Sequence, residues 1–233
     1  MSSVPTPSVT QPDQAKRILP AKPKAAAIVV LAFTALLYLV ELVDEVALHG
    51  RLDSEGIVPR TPSGLDGIAW APLLHGGWGH LLANTVPVLA FGFLAMAGGI
   101  ARWLVVTGLI WVISGVGVWL TAAPGTSTIG ASGLAFGWLA YLLVRGIFNR
   151  SFGQLVVAGV LLLIWGGALW GLLPGNPGIS WQAHLFGALG GILAAWLAAR
   201  ADRARARKTP GKAGHFRTTT LDGDASRRSN LPE

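Results

Sequence analysis

Four side chains in this 233-residue chain could do chemistry together: Ser132, His184, His80 and Asn84. Ser132 lies in Gly130-Ala131-Ser132-Gly133-Leu134-Ala135-Phe136-Gly137, among residues small enough for another backbone to approach. A serine hydroxyl becomes a nucleophile when an imidazole within hydrogen-bond reach takes its proton. His184 is the candidate for that base. His80 and Asn84 are four residues apart, so on a helix they share one face and can aim at one point. Each residue also has a plainer use. Ser132 could be a helix N-cap or packing residue, His184 a satisfied bundle histidine, and His80 with Asn84 interhelical glue.

What must position these residues is a membrane bundle. The chain is 52% hydrophobic and 12% charged, with mean hydropathy +0.54, where a soluble domain carries about 25% charged residues. Its length suits about six spans of roughly 20 residues. The formal charge of +7 sits mostly at the two ends, so it reads as membrane orientation before nucleic-acid binding. There is no cysteine, which excludes disulfides, thiolate catalysis and Cys-based metal sites.

The pattern divides the chain into a tail over residues 1–24, a membrane domain over 25–199 and a basic tail over 200–233. The first tail is expected to be disordered, and the last one beyond its first turn or two. Six apolar segments are expected at about 25–48, 79–97, 103–121, 129 to just before Arg145, 152–172 and 181–199. The first is read as a retained helix and not a signal peptide, because it is long and no clear cleavage site follows. Glu41, Asp44 and Glu45 near its far end suit an interface, or a polar cavity. The stretch 49–78 mixes Gly and Pro with Ile, Leu and Trp, and reads as a structured loop lying partly in the interface.

With the N-terminus in the cytoplasm, Lys16, Arg17, Lys22, Lys24, Arg102, Arg145, Arg150 and the basic C-terminal tail all fall inside. Only Arg51 and Arg60 fall outside, which agrees with a six-span topology with both ends cytoplasmic. Ser132, His80, Asn84 and His184 then share one depth, in the outer half. The plainer readings do not explain that coincidence. Small residues recur at Gly133-x-x-x-Gly137 and Gly187-x-x-x-Gly191. If these faces pack closely, Ser132 and His184 meet at the outer end of the contact.

At these residues the chain resembles the rhomboid family of intramembrane serine proteases. His75-Gly76-Gly77-Trp78-Gly79-His80-Leu81-Leu82-Ala83-Asn84 looks like that family's loop-to-helix motif. Gly130-Ala131-Ser132-Gly133 looks like its nucleophile motif, and Ala183-His184-Leu185-Phe186-Gly187-Ala188-Leu189-Gly190-Gly191 like its histidine motif. The resemblance implies an all-α, polytopic six-helix bundle and a Ser132–His184 dyad. It implies that His80, Asn84 and the Ser132 backbone N–H hold the oxyanion, with Gly130 and Gly133 leaving room for the substrate. Phe136 stands where many members carry a Tyr that packs on the histidine. No cofactor or metal is implied, and the partners would be single-pass transmembrane substrates and the bilayer, with no nucleic acid. The expected location is a bacterial plasma membrane, with the site facing outward. The family's Trp-Arg pair in the first loop is absent, which leaves that loop's packing open. Three rivals remain. One is a transporter path through His80, His184 and Ser132. Another is a metal site of His75, His80 and His184, although no His-Glu-x-x-His is present. The third is a non-catalytic membrane chaperone of similar fold.

Overall fold

The computed structural model describes residues 14–176 and 178–208. The fold is helical: α1 (Pro23–Val43), α2 (Gly67–Trp70), α3 (Trp78–Ala95), α4 (Ile100–Thr121), α5 (Ser132–Asn149), α6 (Phe152–Trp165) and α7 (Trp181–Lys208). α1 runs on through a π-helical turn, Asp44–Leu48, and α6 through a 3-10 segment, Gly166–Leu172. Among the described residues, the β contact is an isolated bridge between Ile57 and Thr128.

Five helical stretches are long and apolar enough to cross a bilayer: Pro23–Leu48, Trp78–Gly98, Ile100–Thr121, Phe152–Leu172 and Trp181–Arg207. The sixth long helix, α5, is not among them, so the expected count of six is met by helices but not by six equally apolar spans. The reason is its place in the bundle. α5 packs against α3, α4, α6 and α7 and buries Leu134, Trp138, Leu139 and Leu142. A helix wrapped by its neighbours need not offer lipid an apolar surface, and it can carry polar groups that protein satisfies. Trp138 anchors the core, stacked on Trp103 at 5.7 Å and donating from Nε1 to Thr107 Oγ1 at 3.0 Å.

Three boundaries differ from the sequence reading. α5 starts at Ser132, not near Ile129, and it contains Arg145 instead of ending before it. α4 likewise contains Arg102, whose guanidinium is neutralised by Asp202. The end of the N-terminal tail is also more ordered than expected. Gln14–Lys16 forms a 3-10 turn against the bundle, where Gln14 Nε2 donates to Gly98 O at 3.0 Å and Gln154 Nε2 to Ala15 O at 2.8 Å. α7 continues to Lys208. The tail readings for 1–13 and 209–233 lie outside the described residues.

The loop from 49 to 77 is folded. Its segments are 3-10 turns at Arg51–Glu55, Pro62–Gly64 and Ala71–Leu73, together with α2. Two tryptophans of α4 hold it: Trp111 Nε1 donates to Ile68 O at 2.7 Å and Trp119 Nε1 to Thr61 O at 2.9 Å. These bonds fix a loop that lacks the Trp-Arg pair. Asp44 pins its start by accepting from the Leu52 N–H at 2.9 Å. Glu41 and Asp44 are buried inside this junction, and Glu45 stays exposed.

Candidate active site

The site forms where α5 and α7 start and antiparallel neighbours bring their ends together. Gly130 donates its N–H to Ala71 O at 2.8 Å, and Ile57 and Thr128 exchange two backbone bonds of 3.0 and 3.1 Å. The stretch before Ser132 is thereby tied to the 49–77 loop, which is why the helix cannot begin at Ile129. Gly130 has φ +119°, a backbone state that favours glycine. Ser132 is then the first helical residue, and the first N–H groups of a helix have no partner within it.

α7 approaches α5 through glycine. A Cβ at Gly187 would collide with Gly133 O, and one at Gly191 with Gly137 O. The two spaced-glycine faces therefore meet as the sequence suggests. Ser114 of α4 closes the same junction, its Oγ donating to Ala183 O at 2.9 Å. Ser180 Oγ accepts from the Ala183 N–H at 3.3 Å and caps the first turn of α7.

This packing puts His184 Nε2 2.9 Å from Ser132 Oγ. His184 Nδ1 lies 3.0 Å from Gly171 O. A carbonyl only accepts, so Nδ1 carries the proton and Nε2 presents a lone pair to the hydroxyl. The ring is also stacked on Phe136, with centroids 4.0 Å apart and planes 9° apart. His184 is only 7% exposed, so its orientation is set by protein contacts and not by water. Gly171 is the orienting group that the sequence reading missed. A backbone carbonyl leaves no side-chain signature.

His80 of α3 stands against the turn that leads into Ser132. Its Nδ1 accepts from the Gly76 N–H at 3.2 Å, which leaves the proton on Nε2. That nitrogen lies against Gly130, where an added Cβ would come within 2.7 Å. Asn84 is buried on the same face and donates one amide hydrogen to His80 O at 3.0 Å. Its second amide hydrogen is not used by that bond. All four predicted side chains thus belong to one end of the bundle, with Phe136, Gly130 and Gly133 around them.

A second histidine supports the turn. His75, 2% exposed, accepts the Ala131 N–H on Nε2 at 3.3 Å and meets His80 edge-on at 5.1 Å. Nδ1 makes no hydrogen bond of good geometry among the described residues, although the Leu73 carbonyl partly favours its proton. Burial, and then the neighbouring His80, push its pKa down to about 4. His75 was read only as a motif residue or a metal ligand; no cluster of three metal-ligating side chains occurs among the described residues. Asp53 of the 49–77 loop lies near His80, and burial, then Asp44 and Glu45, hold its carboxyl above its usual range.

The depressed His75 pKa fixes a pH effect. Below the ordinary value of 6.5 the unfolded chain takes up a proton that the folded chain refuses. Stability present above pH 6.5 is therefore lost as pH falls from 6.5 to about 4, by up to about 3 kcal/mol. His75→Gln keeps an acceptor and does not titrate. Its melting temperature is expected to fall less than that of wild type between pH 7 and pH 4.5. Equal falls would assign the acid sensitivity elsewhere.

Gly171→Ala tests the orienting carbonyl. Its Cβ would sit 3.0 Å from His184 Nδ1 and 3.3 Å from Phe136 Cζ, so the imidazole must shift. Small misplacements of a reacting group cost about ten- to a hundredfold in rate. That loss should appear in kcat with KM little changed; an unchanged kcat would remove Gly171 from the site.

Residues 65–201 match the Rhomboid domain family. A Mycobacterium tuberculosis protein of uncharacterized function is 47% identical over 196 residues, covering 80% of this chain and 81% of its own length. A similarly uncharacterized Mycobacterium leprae protein is 44% identical over 193 residues, 79% of this chain and 76% of its own. Rhomboid-like protease 5 of Toxoplasma gondii is 31% identical over 153 residues, 62% of this chain but 17% of its own.

Proposed function

The chain belongs to the rhomboid family, and from that premise we propose that this multi-pass membrane protein is a serine endopeptidase that cuts transmembrane substrates within the membrane. The observation that carries this reading is the 2.9 Å contact between Ser132 Oγ and His184 Nε2, with Nδ1 held on a carbonyl.

Ser132 Oγ attacks the scissile carbonyl carbon while its proton passes to His184 Nε2. The carbonyl π electrons become the oxyanion. Its donors are the Ser132 N–H, His80 Nε2–H and the second amide hydrogen of Asn84. Such preorganised donors are worth about 3–4 kcal/mol each. Collapse breaks the C–N bond, and the imidazolium proton goes to the leaving amine. Water, deprotonated by the same nitrogen, then cleaves the acyl-serine and restores both groups. Among the described residues, no carboxylate hydrogen-bonds to His184. The Gly171 carbonyl and the face of Phe136 support the imidazolium.

The basic residues of the loops and tails support a topology with both ends in the cytoplasm and the dyad in the outer half of the bilayer. Substrates would be single-pass helices cut near the outer boundary, where a helix must unwind to expose its peptide bond. The test is cleavage of a reference transmembrane substrate by wild type, Ser132→Ala and His184→Ala. Cleavage by wild type alone supports the reading. Equal cleavage by all three ends it and favours a transporter or chaperone role.

A further inference from the structure

The end of the bundle opposite the dyad has a different chemistry. His184 and Arg205 lie roughly 30 Å apart along α7 at 1.5 Å per residue. Near Arg205, α4 and α7 diverge around a cavity of about 380 Å³. Val105 and Leu109 of α4 and Ala194 and Leu197 of α7 give it an apolar wall. Gln14, Arg102 and Arg205 stand around it as its polar part. Val105 is 71% exposed and Leu197 41%, so the wall opens sideways to the surrounding lipid.

Among the described residues, this end carries more basic side chains than carboxylates. Asp202 engages both terminal nitrogens of Arg102, Nη1 donating to Oδ2 at 2.8 Å. Asp202 also lies in the field of Arg145. Arg145 is 4% exposed, sits over the Tyr141 ring and donates to the Arg17 carbonyl. Its Nε has no hydrogen-bond partner among the described residues. One carboxylate thus serves two guanidiniums, and the last turns of α7 carry Arg200, Arg203, Arg205 and Arg207.

We propose that this groove binds one anionic glycerophospholipid. Its phosphate would lie at the rim formed by Gln14, Arg102 and Arg205, and one acyl chain along Val105, Leu109 and Leu197. Basic pockets between spans at a cytoplasmic face attract such headgroups. Free phosphate would satisfy the rim but leave the apolar wall uncovered. A zwitterionic lipid would cover the wall but add no net negative charge. The inference goes beyond the protease reading and does not depend on it.

The test uses the full chain, purified and delipidated in a neutral detergent, with bound lipid read by native mass spectrometry. Dimyristoylphosphatidylglycerol, dimyristoylphosphatidylcholine and inorganic phosphate are offered in turn. Phosphatidylglycerol should be retained about tenfold over phosphatidylcholine and should raise the melting temperature, with phosphate doing neither. Ala101 is exposed and lines the groove. Ala101→Trp should abolish the preference while far-UV helicity stays that of wild type; Val105→Trp is the second variant. Three results would each overturn the proposal. One is equal retention of both lipids, which leaves an unselective apolar groove. Another is a thermal shift from phosphate alone, which means an anion site without lipid. The third is a preference that survives a folded groove-filling variant, which moves the binding to the basic tail.

Discussion

Ser132→Ala is expected to lower cleavage of a reference transmembrane substrate by about 10³-fold or more, because removing a nucleophile leaves only binding and the oxyanion donors. Stability should barely change. Ser132 is half-buried, and its hydroxyl bonds to His184, which keeps its second hydrogen bond to Gly171 O. The variant should therefore melt within about 4 °C of wild type, since a lost hydrogen bond of this kind is worth about 1 kcal/mol. A large fall in rate with unchanged melting separates a chemical role from a packing role. A fall in both would return Ser132 to its plainer reading.

Gly130→Ala is expected to cost about 10²–10³-fold in kcat, the loss typical of one oxyanion donor, without touching the dyad. Two effects act together. The new Cβ would meet the His80 ring at 2.7 Å, and φ at Gly130 is +119°, where an L side chain is strained by about 1–3 kcal/mol. The residue can relax only by moving His80 or by untying the Gly130 N–H from Ala71 O. Either displaces a donor from the oxyanion position. Affinity for a phosphonate that mimics the tetrahedral intermediate should fall with kcat. A variant that loses stability but keeps kcat would show that Gly130 serves only the turn.

Much of the site could be read from residue types and spacing. The glycines at 133, 137, 187 and 191 set how closely α5 and α7 pack, and that closeness brings Ser132 to His184. His80 and Asn84 declared a shared face by their spacing of four. What could not be read is non-local. The start of α5 depends on backbone bonds between 128–130 and a loop some sixty residues earlier. Arg145 read as a helix end, because its acceptor is a main-chain carbonyl of the N-terminal segment. The same segment looked like free tail, since Gln14, Asn149 and Gln154 reveal their partnership only once the chain has folded. Composition marked α5 as a span like the others, but a helix enclosed by protein answers to packing and not to lipid.

Covalent capture tests most directly whether Ser132 is a nucleophile activated by His184. The purified protein would be treated with a fluorophosphonate and the modified peptide mapped by mass spectrometry. A single adduct on Ser132, formed by wild type and lost in His184→Ala, is the predicted result. No adduct on Ser132, or equal labelling with and without His184, would contradict it.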